Sequence, residues 1–201
     1  MAKLYFHGHG SFRVTTAEGK VIYIDPYAGT GYDVPADLIL VSHQHGDHNQ
    51  LGLIGAKNAG CRTITEKEAL EGGKHQTFDL GYAVVEAVEA SNENHAPSEC
   101  VGFILTLSDG VKAYFSCDTS KTAQMGTFAD RKLDYAILCC DGVYNMDIPE
   151  ASECAALIKA RHSIPCHMLP GALFDRKRAE QFKADGRLIV ADGEEITLEA
   201  K

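Results

Sequence analysis

The chain is predicted to be an α/β protein in which two packed β-sheets are covered on their outer faces by helices. Short strand patterns bunch in each half of the sequence, and amphipathic helical patterns fall between and after them. At 201 residues with 45% hydrophobic side chains, the chain can build one sizeable core and is short for two. A single domain, residues 1–201, is the expected organisation.

Residues 2–6, 11–16 and 20–25 read as strands, the last two joined around Glu18-Gly19, and the apolar run 37–42 reads as a buried strand. Residues 49–59 carry a helical pattern stopped by Gly60, and strands follow near 62–65, 75–79 and 82–89. Residues 101–107 and 111–116 flank Ser108-Asp109-Gly110, a hairpin signal. Ala151, Cys154, Ala155 and Ile158 recur at helical spacing, with Asp147 as the cap and Glu150 three residues beyond it. A strand over 163–166 ends at His167, a helix is expected from Asp175 to Gly186, and a last hairpin should turn at Asp192-Gly193.

Nineteen Lys and Arg against 28 Asp and Glu give a formal charge of -9, which argues against a nucleic-acid partner and for a small-molecule substrate. The basic run Arg176-Lys177-Arg178 reads as a solvated helix face. No segment has signal-peptide or membrane-span character, so a cytoplasmic protein without membrane association is expected. Seven cysteines without a CxxC pair indicate reduced, mostly buried thiols.

The chemistry concentrates in His43-Gln44-His45-Gly46-Asp47-His48, directly after the buried strand. Imidazole and carboxylate are the ligands that zinc, manganese and iron take up. His43 and His45 are spaced to grip one ion while Asp47 and His48 reach a second. His95, in a polar loop after the 82–89 strand, is a candidate third imidazole. Asp118, at the end of the 111–116 strand, is placed to bridge two cations, or equally to cap a helix through Asp118-Thr119-Ser120. His167, at another strand end, either completes the second ion's shell or is a core histidine.

His43-x-His45-x-Asp47-His48 followed in order by His95, Asp118 and His167 resembles the metallo-β-lactamase superfamily. Supporting pieces are Gly8-His9-Gly10-Ser11-Phe12, Ile24-Asp25-Pro26 and Tyr114-Phe115-Ser116-Cys117-Asp118-Thr119, so the resemblance spans nearly the whole chain. It is similar above all to the small lactonase-like members, the ascorbate-6-phosphate lactonases among them. The resemblance implies an αββα sandwich and two divalent ions, zinc before manganese or iron. His43, His45 and His95 would hold the first, Asp47, His48 and His167 the second, and Asp118 would bridge them. It further implies a hydrolase that splits a small ester, lactone or phosphodiester with a water activated between the ions. A non-catalytic metal-binding or regulatory protein and a di-iron redox protein are the other readings.

Asp47 is the candidate catalytic residue, orienting that water and passing on its proton. Asp25 either fixes a ligand histidine's tautomer or ends a strand with Pro26. His9 and Tyr144 are candidate substrate contacts, whereas His7, His75 and His162 are not expected to be ligands. The family usually has Gly before the bridging Asp. This chain has Cys117 there, which strand alternation should turn away from Asp118 into packing.

Overall fold

The computed structural model describes all residues from 1 to 201. Its strands are β1 (Lys3–Gly8), β2 (Ser11–Thr15), β3 (Val21–Ile24), β4 (Ala36–Leu40), β5 (Lys57–Ile64), β6 (Thr77–Asp79), β7 (Ala83–Glu89), β8 (Val101–Leu107), β9 (Lys112–Phe115), β10 (Tyr135–Cys139), β11 (His162–Cys166) and β12 (Glu195–Thr197). The helices are α1 (Glu66–Ala69), α2 (Ile148–Ile158) and α3 (Arg176–Ala179). Two six-stranded sheets form, in the orders β12-β1-β2-β3-β4-β5 and β11-β10-β9-β8-β7-β6. Both are mixed: β3-β4-β5 and β9-β10-β11 are parallel and the remaining pairs antiparallel.

Side-chain alternation separates the layers. Ile22, Ile24, Leu38 and Leu40 of β3 and β4 point inward with Phe6 and Phe12, joining Phe103, Leu105 and Ile137 of the other sheet in one core of 47 buried residues. Their alternates Val21, Tyr23 and Ile39 face outward and are covered by Tyr32 and Ile54. On the other side, α2 buries Ala151, Cys154, Ala155 and Ile158 against the core. Its cap forms as expected, with the Asp147 side chain accepting from the Glu150 N–H. No helix is long and apolar enough to cross a membrane.

Three expected elements differ. Residues 49–59 give only a 3-10 turn over Leu51–Leu53, because Gly52 and Gly55 weaken a helix. The chain then extends into β5, which pairs along β4 and begins five residues earlier than the expected strand at 62. The helix expected over 175–186 stops at Ala179. The Arg187 guanidinium donates to the carbonyl oxygens of Glu180 and Phe182, the acceptors that a continuing helix would have given to N–H groups four residues on. The turn at Asp192-Gly193 exists, with Gly193 at φ 78, but β12 pairs with β1 instead of the segment before it. An additional 3-10 stretch, Gln124–Arg131, packs Met125 and Phe128 under α2.

The topology places every chemically interesting segment on one edge. Asp25 follows β3, His43 follows β4, Asp118 follows β9, and His167 follows β11, all at the carboxyl ends of parallel strands where α/β sheets bind ligands.

Candidate metal centre

Left-handed backbone turns mark this edge. His9 (φ 58), Asp25 (φ 46), Cys117 (φ 50) and His167 (φ 45) each sit just past a strand end. A side chain in this conformation costs about 1–2 kcal/mol. The strain therefore collects where the chain turns sharply to aim a functional group. It also accounts for the Gly usual at position 117, which tolerates this φ at no steric cost. The Cys117 thiol has its sulfur 3.8 Å from the Phe115 carbonyl oxygen and packs against the core, as expected from alternation.

All seven expected ligands converge. The donor atoms of His43, His45 and His95 lie within 4.8 Å of one another, and so do those of Asp47, His48 and His167, which His9 joins. Asp118 lies between the two sets. Its Oδ1 is 3.3 Å from His48 Nε2, while its Oδ2 is 3.5 Å from both His95 Nε2 and His167 Nε2. One carboxylate thus faces both clusters, and the helix-cap alternative for Asp118 falls away.

Four of the five rings have a polar group beside the far nitrogen. Ser42 Oγ lies 2.9 Å from His43 Nδ1, Asp25 Oδ2 3.0 Å from His48 Nδ1 and Asn92 Oδ1 2.9 Å from His95 Nδ1, while Asp141 Oδ2 stands 2.9 Å from His167 Nδ1 in an ion-pair contact whose geometry falls short of a hydrogen bond. These contacts leave Nε2 of all four rings facing the centre. Asp25 is fully buried and also accepts from the Ser42 N–H and hydroxyl, so it orients His48 as the tautomer argument required. Asp141, Asn92 and Ser42 were not singled out from the sequence. Asp141 lies two residues past the end of β10, and that position at a strand end is the signal that points to it.

The fit to cations rests on buried atoms without partners. Nε2 of His43, His48 and His167 and Oδ1 of Asp118 are shielded from solvent yet hydrogen-bonded to nothing, an arrangement proteins avoid unless another group completes it. Charge points the same way. Burial, reinforced by the charge of His48, pushes His43 down to about 3, so it is a neutral imidazole at ordinary pH. Burial also lowers His95. In His48 burial works downward, but the Asp118 and Asp25 carboxylates outweigh it and raise the imidazole well above its usual value. His167 is raised by Asp118 and Asp141 against the same opposition. Asp118, for which burial alone favours the neutral acid, is held well below the carboxylate range by His48 and His167.

Asp47 is half-exposed at the mouth, with Oδ2 turned 3.1 Å from His9 Nε2. Burial opposes its ionisation, yet the His9 contact and His48 keep it below the ordinary carboxylate value. Tyr144 is 49% exposed and lines the same opening with His45, Asn94 and His95, consistent in position with a substrate contact. His9 is not: it is fully buried, with Nδ1 3.0 Å from the Ala172 carbonyl oxygen and Nε2 on Asp47. A side chain so enclosed has no face left for substrate.

Residues 3–167 match the family model described as the beta-lactamase superfamily domain. A UPF0173 metal-dependent hydrolase of Pyrococcus furiosus is 31% identical, the alignment covering 83% of this chain and 84% of that one. Another, from Nitratidesulfovibrio vulgaris, is 29% identical across 98% of this chain and 95% of its own. Among solved structures, the metallo hydrolase Igni18 of Ignicoccus hospitalis superposes with a TM-score of 0.75 at 22% identity, covering 100% of this chain and 99% of that one. The fold is therefore the metallo-β-lactamase fold, and the chain belongs to the UPF0173 metal-dependent hydrolases of the metallo-β-lactamase superfamily.

Proposed function

We propose that this hydrolase works with two divalent cations bridged by Asp118 and cleaves a small uncharged ester or lactone. The observation that carries the reading is the convergence of solvent-shielded, partnerless Nε2 atoms of His43, His48 and His167 on Asp118. His43, His45 and His95 would hold one ion, and Asp47, His48 and His167 the other. Imidazole and carboxylate donors suit zinc, while manganese and iron accept the same donor types. Ions so held would supply a water of lowered pKa and would polarise the bond under attack.

The chain's own groups supply the rest. Asp47, ionised and reaching the mouth, is placed to orient the attacking water and to carry its proton to the leaving oxygen. Asp25, Asn92, Asp141 and Ser42 keep the ligand rings in the required tautomers. Beside the His43, His45 and His95 rings opens a cleft of about 660 Å³ whose walls carry Glu66, Glu71 and Glu99 against Lys67. Acidic walls repel a phosphodiester and accept a neutral substrate, which favours the ester or lactone. Tyr144, exposed at the rim, offers a ring and a hydroxyl to it.

The test is metal content by elemental mass spectrometry on protein purified without added metal or chelator, followed by initial rates. We expect about two ions per chain, falling in Asp118→Ala, and faster turnover of aliphatic lactones than of bis(p-nitrophenyl) phosphate. Little bound metal after reconstitution with zinc, manganese or iron would overturn the dinuclear assignment. Two bound ions with phosphodiester cleavage dominant would overturn the substrate class alone.

A further inference from the structure

We infer that His9 is a fourth protein ligand of the cation held by Asp47, His48 and His167, an inference that rests on the dinuclear reading above. His9 Nδ1 lies 3.0 Å from the Ala172 carbonyl oxygen, which can only accept, so Nδ1 carries a proton. Nε2 faces Asp47 Oδ2 at 3.1 Å, and the donor atoms of His9, Asp47, His48 and His167 all lie within 4.8 Å of one another. A cation set among these four donors would find the His9 Nε2 beside the Asp47 oxygen, a third imidazole in a cluster whose other rings are His48 and His167.

The spacing agrees. Donors about 2.0–2.2 Å from a metal in tetrahedral array stand roughly 3.3–3.6 Å apart. Asp47 Oδ2 is 3.1 Å from His9 Nε2, 3.8 Å from His167 Nε2 and 4.0 Å from His48 Nε2, so His9 is as well placed as the two expected imidazoles. Its ring centroid is 3.6 Å from that of His167.

The backbone is shaped to bring it there. His9 lies between Gly8 and Gly10 at the turn from β1 to β2. A Cβ on Gly10 would stand 3.0 Å from His48 Cε1 and 3.6 Å from His167 Cδ2, and one on Gly8 would meet Leu173 Cβ at 2.7 Å. Bare glycines on both sides let the turn press against the ligand rings. The peptide is then pinned on both faces: His9 N–H donates to the Leu173 carbonyl at 2.6 Å, and the His167 N–H donates to the His9 carbonyl at 2.8 Å. Thus the same residue reaches the cation with its ring and braces His167 with its backbone.

The competing arrangement is a doubly protonated His9 donating to Asp47 from outside the metal shell, and His9→Gln separates the two. Glutamine places an N–H close to where Nε2 stands, so it preserves an outer hydrogen bond but supplies no imidazole lone pair. Metal-free wild type and His9→Gln are titrated with Zn2+ against a competing chelator. One tight ion in the variant, with the second weakened by more than the roughly 10–100-fold typical of an outer-shell change, supports the proposal. Equal affinity for both ions in the two proteins overturns it while leaving the dinuclear reading intact. A wild type that takes only one ion overturns both.

A second readout needs no variant. In Co2+-loaded wild type, a ligated His9 gives a strongly shifted exchangeable proton resonance from its Nδ1–H. Absence of that resonance, with those of the other ligand rings present, overturns the proposal even if His9→Gln fails to fold.

Discussion

Asp141 holds His167 with one carboxylate oxygen and the rim of the active-site mouth with the other. Oδ2 lies 2.9 Å from His167 Nδ1, while Oδ1 accepts the N–H groups of Val143, Tyr144 and Asn145. Asn92 makes the complementary link, accepting from His95 Nδ1 and donating to the Tyr144 carbonyl at 2.8 Å. The loop carrying Tyr144 is thereby tied to one ligand of each proposed ion. Burial works against ionisation of Asp141, but His167 and the loop N–H groups hold it down at about 2, so it is a carboxylate throughout the working range. In Asp141→Asn an amide N–H2 would confront the His167 Nδ1–H, or the loop would lose its acceptor. The second ion should bind roughly 10–100-fold more weakly. Chelator competition at neutral pH checks this, and unchanged affinity would show that the contact does not set the ring.

Asp25 should matter for stability as much as for metal. Its carboxylate is fully buried and receives the Ser42 N–H at 2.7 Å, the Ser42 hydroxyl at 2.6 Å and the His48 ring at 3.0 Å. Asp25→Ala leaves those donors buried and one charge unpaired, a loss of roughly 3–5 kcal/mol. For a chain of this size that is on the order of 10 °C in Tm. Thermal unfolding of metal-free protein measures it without interference from metal binding. A fall of less than 2 °C would mean that water or a neighbouring group replaces the carboxylate.

What the sequence made legible follows from how locally each feature is encoded. The HxHxDH run, the apolar run that becomes the buried β4 and the Asp147 cap depend on near neighbours, and all three stand in the structure. The misread elements depend on distant partners. Residues 57–61 extend because β4 offers a free edge, β12 crosses to β1, and the helix after Asp175 is cut short by a guanidinium from beyond its end. The same division runs through the site. The ligands stand out by residue type, whereas Ser42, Asn92 and Asp141 look like ordinary polar residues until the fold sets them behind a ring. His9 was visible as a glycine-flanked turn, but only its burial shows that it faces Asp47 and not substrate.

Cys117 occupies a left-handed position with its sulfur turned toward Phe115, so replacing it should leave metal binding unchanged. Cys117→Gly removes about 1–2 kcal/mol of backbone strain. It also gives up a small packed side chain and frees the unfolded chain, which offset that gain. A stability change within about 1 kcal/mol is expected, with wild-type metal content by elemental analysis. Loss of an ion in this variant would reassign the thiol as a ligand.

His7 provides the pH dependence that belongs to the fold alone. Its ring is buried, stacked 4.0 Å from Tyr32, and bonded through Nδ1 to the Thr30 carbonyl at 2.6 Å, while Nε2 has no partner. Burial drives it down to about 4; the Thr30 bond works upward, and nearby Arg13 adds to the fall. In the unfolded chain the same ring titrates near 6.5. The unfolded state therefore binds the extra proton first as pH drops. No penalty exists well above 6.5; it grows as pH falls below that value and levels off below about 4. At pH 5 it amounts to about 2 kcal/mol. His7→Phe keeps the stacked ring but loses the titrating group and the Thr30 bond. It should start less stable at pH 7.5 yet lose about 2 kcal/mol less than wild type on going to pH 5. Urea unfolding of metal-free protein at the two pH values makes the comparison, and parallel losses in both proteins would place the acid sensitivity elsewhere.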